Sequence, residues 1–247
     1  MRIAITGKGG SGKSTVAGTL ARHAARRGRT VVAVDADPNP NLAISLGMTQ
    51  ESVETMRPIL NALLESGHTH NDPMPDPDDL LARFGLEGPD GIVLVATGKI
   101  ERPTDACLCC GSHNTTRQFF GDLPADDRIV IADLEAGLSD LIWAHPGPTD
   151  VVLVVTEGSA KSVEIARRAF RLAEEMGVTR VVAVANRSVS SADAERIAQE
   201  LGAAEVAMVP EDAAIEHADV LGVAPIDTAP ESPAMLAIAH LARQLSS

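Results

Sequence analysis

Gly7-Lys8-Gly9-Gly10-Ser11-Gly12-Lys13-Ser14-Thr15 is a run of glycines interrupted only by lysines and hydroxyls. Without Cβ atoms, the backbone at Gly9, Gly10 and Gly12 can turn its N–H groups inward, with that of Ser11, into a nest that attracts anions. The chemistry implied is the cradling of a polyphosphate with Mg²⁺. In that reading Lys13 reaches the β- and γ-phosphates, the Ser14 hydroxyl ligates Mg²⁺ and Thr15 sits near the α-phosphate. The bland alternative is a flexible Gly-Ser turn with an incidental lysine. It does not explain the full spacing, nor the setting of an apolar strand before and an Ala-rich helix after, whose N-terminus adds partial positive charge.

Carboxylates follow in register with this loop. Asp35-Ala36-Asp37-Pro38-Asn39-Pro40-Asn41 begins where the second apolar run ends. Its two prolines stop regular structure and favour a shaped loop; a turn whose Asp and Asn satisfy local backbone groups is the plainer reading. Arg128-Ile129-Val130-Ile131-Ala132-Asp133 is an apolar strand ending in aspartate, the pattern of a carboxylate that holds Mg²⁺ through water. Leu134-Glu135-Ala136-Gly137 comes next, and Gly137 permits backbone movement with the state of the γ-phosphate.

Cysteine is confined to Cys107-Leu108-Cys109-Cys110, with His113 close by. Two thiolates two residues apart cannot saturate a tetrahedral metal from one chain, but two such pairs across a two-fold axis can. Soft thiolates suit zinc, nickel or an iron–sulfur centre. Buried small hydrophobes and a redox switch are the competing readings. Cys110 and His113 are open as further ligands.

Seven β-branched runs must position these residues: 2–6, 30–35, 92–97, 128–133, 151–156, 180–186 and 205–209. Helical patterns lie at 13–27, 51–66, 160–176, 192–201 and 233–245. Alternation of this kind predicts an α/β fold: a mostly parallel sheet of seven or eight strands with helices on both faces. Ligands in such sheets bind at the carboxyl ends of the strands. No internal repeat or second-domain boundary is visible, so residues 1–247 read as one domain. The Pro- and Asp-rich stretch 68–79 reads as a loop, either solvated or contacting a partner. The helix from Pro233 is Ala- and Leu-rich, which suits core packing better than a membrane tether with a basic polar face.

Composition narrows the function classes. With 21 basic against 34 acidic residues the net charge is −13, which opposes a nucleic-acid or anionic-membrane partner. No apolar run approaches a membrane span, and no secretory signal is visible at the N-terminus. The expected location is cytoplasmic, where clustered cysteines suggest metal or redox chemistry more than a structural disulfide.

Lys8, immediately after the first glycine, is the unusual residue of the loop. With it the sequence resembles the deviant Walker A ATPases, which include the nitrogenase iron protein, MinD, ParA, the arsenite-pump ATPase and nickel-insertion ATPases. The resemblance implies ATP and ADP as ligands and an ATP-dependent sandwich dimer, in which Lys8 reaches the partner's nucleotide. It implies that Asp35–Asn41 is switch I, with Asp37 orienting or activating water and Asp35 assisting the Mg²⁺ shell, and that 134–137 is switch II. It places Asn186, Pro210 and Asp212 around the adenine; a strand-end cap for Asn186 and a helix cap for Asp212 are the alternatives.

The Cys-x-Cys segment, Asp35-Ala36-Asp37-Pro38-Asn39 and Asp133-Leu134-Glu135-Ala136-Gly137 are similar to the CooC type, ATPases that supply nickel to maturing carbon monoxide dehydrogenase. This implies Ni²⁺ or Zn²⁺ bridging the dimer at Cys107 and Cys109, and a client metalloenzyme such as that dehydrogenase. After Gly137 the chain reads Leu138-Ser139-Asp140-Leu141-Ile142-Trp143-Ala144-His145, where that group has Glu-His and then Gly-Arg-Gly. Two other classes share the loop and switches. A positioning or partition ATPase would want a basic patch or amphipathic anchor. An electron-transfer ATPase would draw its cysteines from two separate segments.

Overall fold

The computed structural model describes residues 1–69, 72–99, 108–124, 127–137 and 149–245, with the side chains of 108–113 outside the description. In chain order the elements are β1 (Arg2–Gly7), α1 (Lys13–Arg26), β2 (Thr30–Asp35), α2 (Leu42–Leu46), α3 (Gln50–Thr55), α4 (Ile59–Glu65), α5 (Pro77–Phe84) and β3 (Leu86–Glu87). A 3-10 turn at Pro89–Gly91 leads to β4 (Val93–Ala96), α6 (Leu108–Asp122), β5 (Arg128–Asp133), β6 (Val151–Thr156), α7 (Ala160–Glu175) and β7 (Arg180–Ser188). The chain then runs through α8 (Ser191–Leu201), β8 (Glu205–Pro210), α9 (Ala213–Leu221), α10 (Pro225–Thr228) and α11 (Pro233–Leu245).

The strands form one eight-stranded sheet in the order β3-β4-β2-β5-β1-β6-β7-β8. Every neighbouring pair is parallel except β3 with β4. The expected α/β fold is the observed one. Central strands are buried on both sides, so they read as continuous apolar runs. Their period of two sorts side chains between layers. Ile3, Ile5, Ile131, Leu153 and Val155 face α1, α2 and α11. Ala4, Val130, Ala132, Val152 and Val154 face α4 to α8. All four phenylalanines (Phe84, Phe119, Phe120 and Phe170) lie in this second layer, leaving the first aliphatic.

Two local expectations change. The helix expected over 51–66 is two helices: Met56 is extended and Pro58 precedes α4, because proline's ring disfavours helix at the residue before it. The stretch 68–79 is not all loop: α5 starts at Pro77, and the Asp76 carboxylate accepts from the N–H groups of Asp78 and Asp79. His23 is half-buried in α1, where burial lowers its pKa against a backbone contact at Met235. α11 packs in the core through Met235, Ile238 and Leu241, as expected. No helix among the described residues is long and apolar enough to cross a membrane.

Candidate nucleotide-binding site

The glycine loop joins β1 to α1, and its geometry depends on missing Cβ atoms. A Cβ at Gly7 would lie 2.2 Å from the Val155 carbonyl oxygen, so only glycine lets the end of β1 run beside β6. Gly10 and Gly12 have φ of +79° and +92°, conformations that side chains resist. The Ser11 N–H donates to the Lys8 carbonyl at 3.1 Å and closes the turn. α1 has no side-chain cap and no acidic residue in its first turn. The N–H groups that open a helix have no partners within it, so this end presents unsatisfied donors and positive potential. The arrangement can hold an anion.

Asp133 ends β5 behind this nest. It is 2% exposed, and Oδ1 has no hydrogen-bond partner among the described residues. Burial raises its pKa, while the Ser14 hydroxyl and Lys13 ammonium beside it pull the other way. An orphaned buried carboxylate oxygen next to a hydroxyl is a donor set that fits Mg²⁺. Asp35 is buried too, and burial and the Asp133 charge raise its pKa. Both of its oxygens are engaged: Oδ2 accepts from the Leu42 N–H at 2.9 Å and Oδ1 from the Asp37 N–H at 3.2 Å. Asp35 therefore pins the 35–41 loop from both ends. The Asp37 carboxylate accepts from the Asn39 N–H at 2.8 Å and lines the cleft outside.

That cleft has a volume of about 390 Å³. Gly9, Gly10, Gly12, Lys13, Ser14, Thr15 and Asp37 line it, as do Asn186, Pro210 and Asp212. The structure thus brings both expected halves, phosphate end and base end, to one cavity at the carboxyl ends of the strands. Lys8, Ser11, Asp35 and Asp133 are not on its wall. Lys8 is half-buried, and no carboxylate among the described residues pairs with it.

The wall that carries Asn186, Pro210 and Asp212 shows bonds the sequence did not announce. Asn186 Nδ2 donates to the Ser11 carbonyl at 2.7 Å, so β7 braces the glycine loop. A Cβ at Gly12 would fall 2.2 Å from that nitrogen. Asp212 caps two helices: its oxygens accept from the Ala214 N–H in α9 and the Ala234 N–H in α11, each at 3.0 Å. Arg187, with φ +54° at a bulge in β7, donates to the Gly10 carbonyl at 3.2 Å and pairs with Glu157. Behind the loop, the Gly137 N–H donates to the Gly7 carbonyl at 3.2 Å and the Thr6 hydroxyl to the Gly137 carbonyl at 3.0 Å. These two bonds tie 134–137 to the end of β1.

Gly18 is another residue the sequence reading passed over, although a lone glycine in a helical pattern signals close packing. A Cβ there would meet the Ser45 carbonyl oxygen of α2 at 2.6 Å. Alanine favours helix over glycine by about 1 kcal/mol, but here it would push α2 and the 35–41 loop away from α1. Gly18→Ala is expected to lose about 1–3 kcal/mol of stability, the usual range for overpacking. Denaturant unfolding checks this; an unchanged or raised midpoint would refute it.

Of the cysteine segment, Cys107 lies outside the described residues. Cys109, Cys110 and His113 fall in α6, with side chains outside the description.

Comparison with known proteins agrees with this geometry. The family model of the CobQ/CobB/MinD/ParA nucleotide binding domain matches residues 3–226. An uncharacterized ATP-binding protein of Methanocaldococcus jannaschii is 32% identical over 90% of this chain and 90% of its own. The carbon monoxide dehydrogenase accessory protein CooC of Rhodospirillum rubrum is 30% identical over 93% of this chain and 91% of its own. The septum site-determining protein MinD of Pyrococcus horikoshii, solved with Mg-ADP, superposes with a TM-score of 0.78 at 19% identity, covering 100% of this chain and 96% of that one. A strand–glycine loop–helix at the sheet's carboxyl edge, a match over most of the chain and two relatives at or above 30% identity lead to one assignment: the chain belongs to the CobQ/CobB/MinD/ParA family of P-loop nucleotide-binding domains.

Proposed function

We propose that this chain is a dimeric ATPase that uses ATP hydrolysis to deliver a metal ion, nickel or zinc, to a client metalloenzyme such as carbon monoxide dehydrogenase. The observation that carries the reading is Cys107-Leu108-Cys109, in a chain similar to CooC over 93% of its length. In chain order Cys107 follows β4, and Leu108 and Cys109 open α6.

In this reading the glycine-loop amides and Lys13 hold the β- and γ-phosphates. Ser14 and, through water, Asp133 hold Mg²⁺, which neutralises charge on the phosphates when bound. Asp37, on the cleft wall, orients the water that attacks the γ-phosphorus as the bond to the ADP oxygen breaks. Asp35 fixes Asp37 through its amide. Asn186, Pro210 and Asp212 surround the base. Lys8, without a carboxylate partner among the described residues, is available to a second subunit's nucleotide.

The metal is cargo. ATP closes the dimer and brings together two Cys107/Cys109 pairs, four thiolates for one tetrahedral ion. Hydrolysis reopens it. ATP biases delivery only if the two states differ in metal affinity. The test is metal content per dimer, by elemental analysis after anaerobic purification, with ATP and with ADP. One divalent ion per dimer with ATP, lost in Cys107→Ala, is the expected outcome. Metal content indifferent to Cys107→Ala would sink the reading.

A further inference from the structure

Thr97, at the end of β4, is a junction. Its N–H donates to the Asp35 carbonyl at 3.0 Å, and its carbonyl accepts from the Leu60 N–H of α4 at 2.9 Å. Its hydroxyl accepts from the Thr116 hydroxyl of α6 at 2.8 Å and stands 3.5 Å from the Asp35 carbonyl oxygen. Thr97 is 0% and Thr116 4% exposed, in the layer that holds Phe119 and Phe120. Just beyond, the Asn61 side chain of α4 accepts from the Lys99 N–H and donates to the Lys99 carbonyl, both at 3.0 Å. Switch I hangs from the same point, because Asp35 holds the amides of Asp37 and Leu42.

The Thr116 hydroxyl is buried in an apolar layer and donates to Thr97; separating the two removes that acceptor from a buried donor and costs free energy. α6 therefore cannot slide relative to switch I without breaking this bond or carrying Thr97 along. Cys109 lies seven residues before Thr116 on the same helix, a distance of about 10 Å along its axis. We infer that Thr97 and Thr116 are positioning residues that link switch I to the cysteine-bearing end of α6, so that the nucleotide state sets the accessibility of the thiols. The inference rests on the metal-delivery reading only for what the thiols carry.

The composition supplies the assay. The chain's cysteines are Cys107, Cys109 and Cys110, so alkylation of the full chain by iodoacetamide reads that segment alone. Rates are compared without nucleotide, with Mg²⁺·ADP and with Mg²⁺·ATP. In the unaltered protein ATP is expected to change the rate by about fivefold or more, the lower end of ordinary coupling between sites. Thr116→Val, which keeps shape and removes the hydroxyl, is expected to cut that response below about twofold, and Thr116→Ser to restore it. Thr97→Val attacks the bond from the other side; if both act through it, the double variant is no worse than either single one. Thermal melting of each variant separates lost coupling from lost folding, and Thr97→Val decides if Thr116→Val melts early. A full ATP response in a folded Thr116→Val or Thr97→Val protein, or no response in the unaltered chain, overturns the inference. Metal content of the same samples keeps the two readings apart: a thiol response that follows these variants without bound metal ends metal delivery and leaves the coupling standing.

Discussion

Replacing Lys13 with methionine is expected to lower ATP hydrolysis by roughly 10²–10³-fold, the loss typical when one preorganised group facing the developing charge is removed. Methionine retains an apolar stem at a position that is 8% exposed, so packing is largely kept and the ammonium is what disappears. The loss should have two parts. The phosphates lose a cation at the mouth of the nest, and Asp133 loses the positive charge that offsets its burial. Nucleotide affinity should therefore fall along with turnover. Lys8 provides the contrast. It is off the cleft wall, so Lys8→Ala should leave binding of nucleotide to an isolated chain nearly intact and, if the chain works as the proposed dimer, suppress turnover there. Phosphate release at saturating ATP, measured over a wide range of protein concentration, distinguishes the two. Lys13→Met should stay at its lowered rate at every concentration, whereas Lys8→Ala should lose the concentration dependence. A Lys13→Met protein within about tenfold of the unaltered rate, against the 10²–10³ expected, would remove Lys13 from the phosphate site.

How much of this was legible in the sequence follows from what each residue's conformation depends on. β2, β5 and β6 occupy the spans read from the chain, 30–35, 128–133 and 151–156, because strands buried on both faces must be apolar throughout. The glycine loop was legible because its requirement is local: a nest needs positive φ, and Gly10 and Gly12 supply it. α5 carries local signals that fit a loop and a helix start alike. Asp76-Pro77-Asp78-Asp79 looks like a turn by composition, yet a capping Asp, a first-position Pro and first-turn acids open a helix. α2 is five residues long, too short for any periodicity to show. Other features belong to no single segment. Asn186 on Ser11 spans 175 positions, Arg187 on Gly10 spans 177, and Thr116 on Thr97 joins a helix to a strand end. Such bonds exist only once the sheet order brings β7 beside β6 and α6 beneath β4. The Asp212 cap lies between these cases: Ala214 is a local partner, while Ala234 is not.

Asp133→Asn is expected to change stability and activity in opposite directions. The aspartate sits at 2% exposure beside Asp35 at 1%, and its Oδ1 has no partner among the described residues. Two neighbouring buried carboxyls repel, and each carries a desolvation cost that the protein alone does not fully offset. Asparagine preserves the shape and removes one charge. In the absence of Mg²⁺ and nucleotide the variant should therefore be more stable, by about 1–3 kcal/mol. Hydrolysis should fall by roughly 10²-fold or more, since the carboxylate that the proposed mechanism sets in the metal's outer shell is gone. Ligand then reverses the order. Mg²⁺·ATP stabilises whichever protein binds it, by about 2.7 kcal/mol at a hundred times the dissociation constant, and the asparagine variant binds it less well. Denaturant midpoints with Mg²⁺ alone, ATP alone and both together give the comparison. The unaltered chain should gain most from the pair and overtake the variant only there. A variant less stable than the parent without ligand would mean that Asp133 is held by the fold for its own sake. A residue that weakens the empty protein and strengthens the loaded one is what a site built around a cation requires, and the orphaned oxygen at the end of β5 is where that cost is visible.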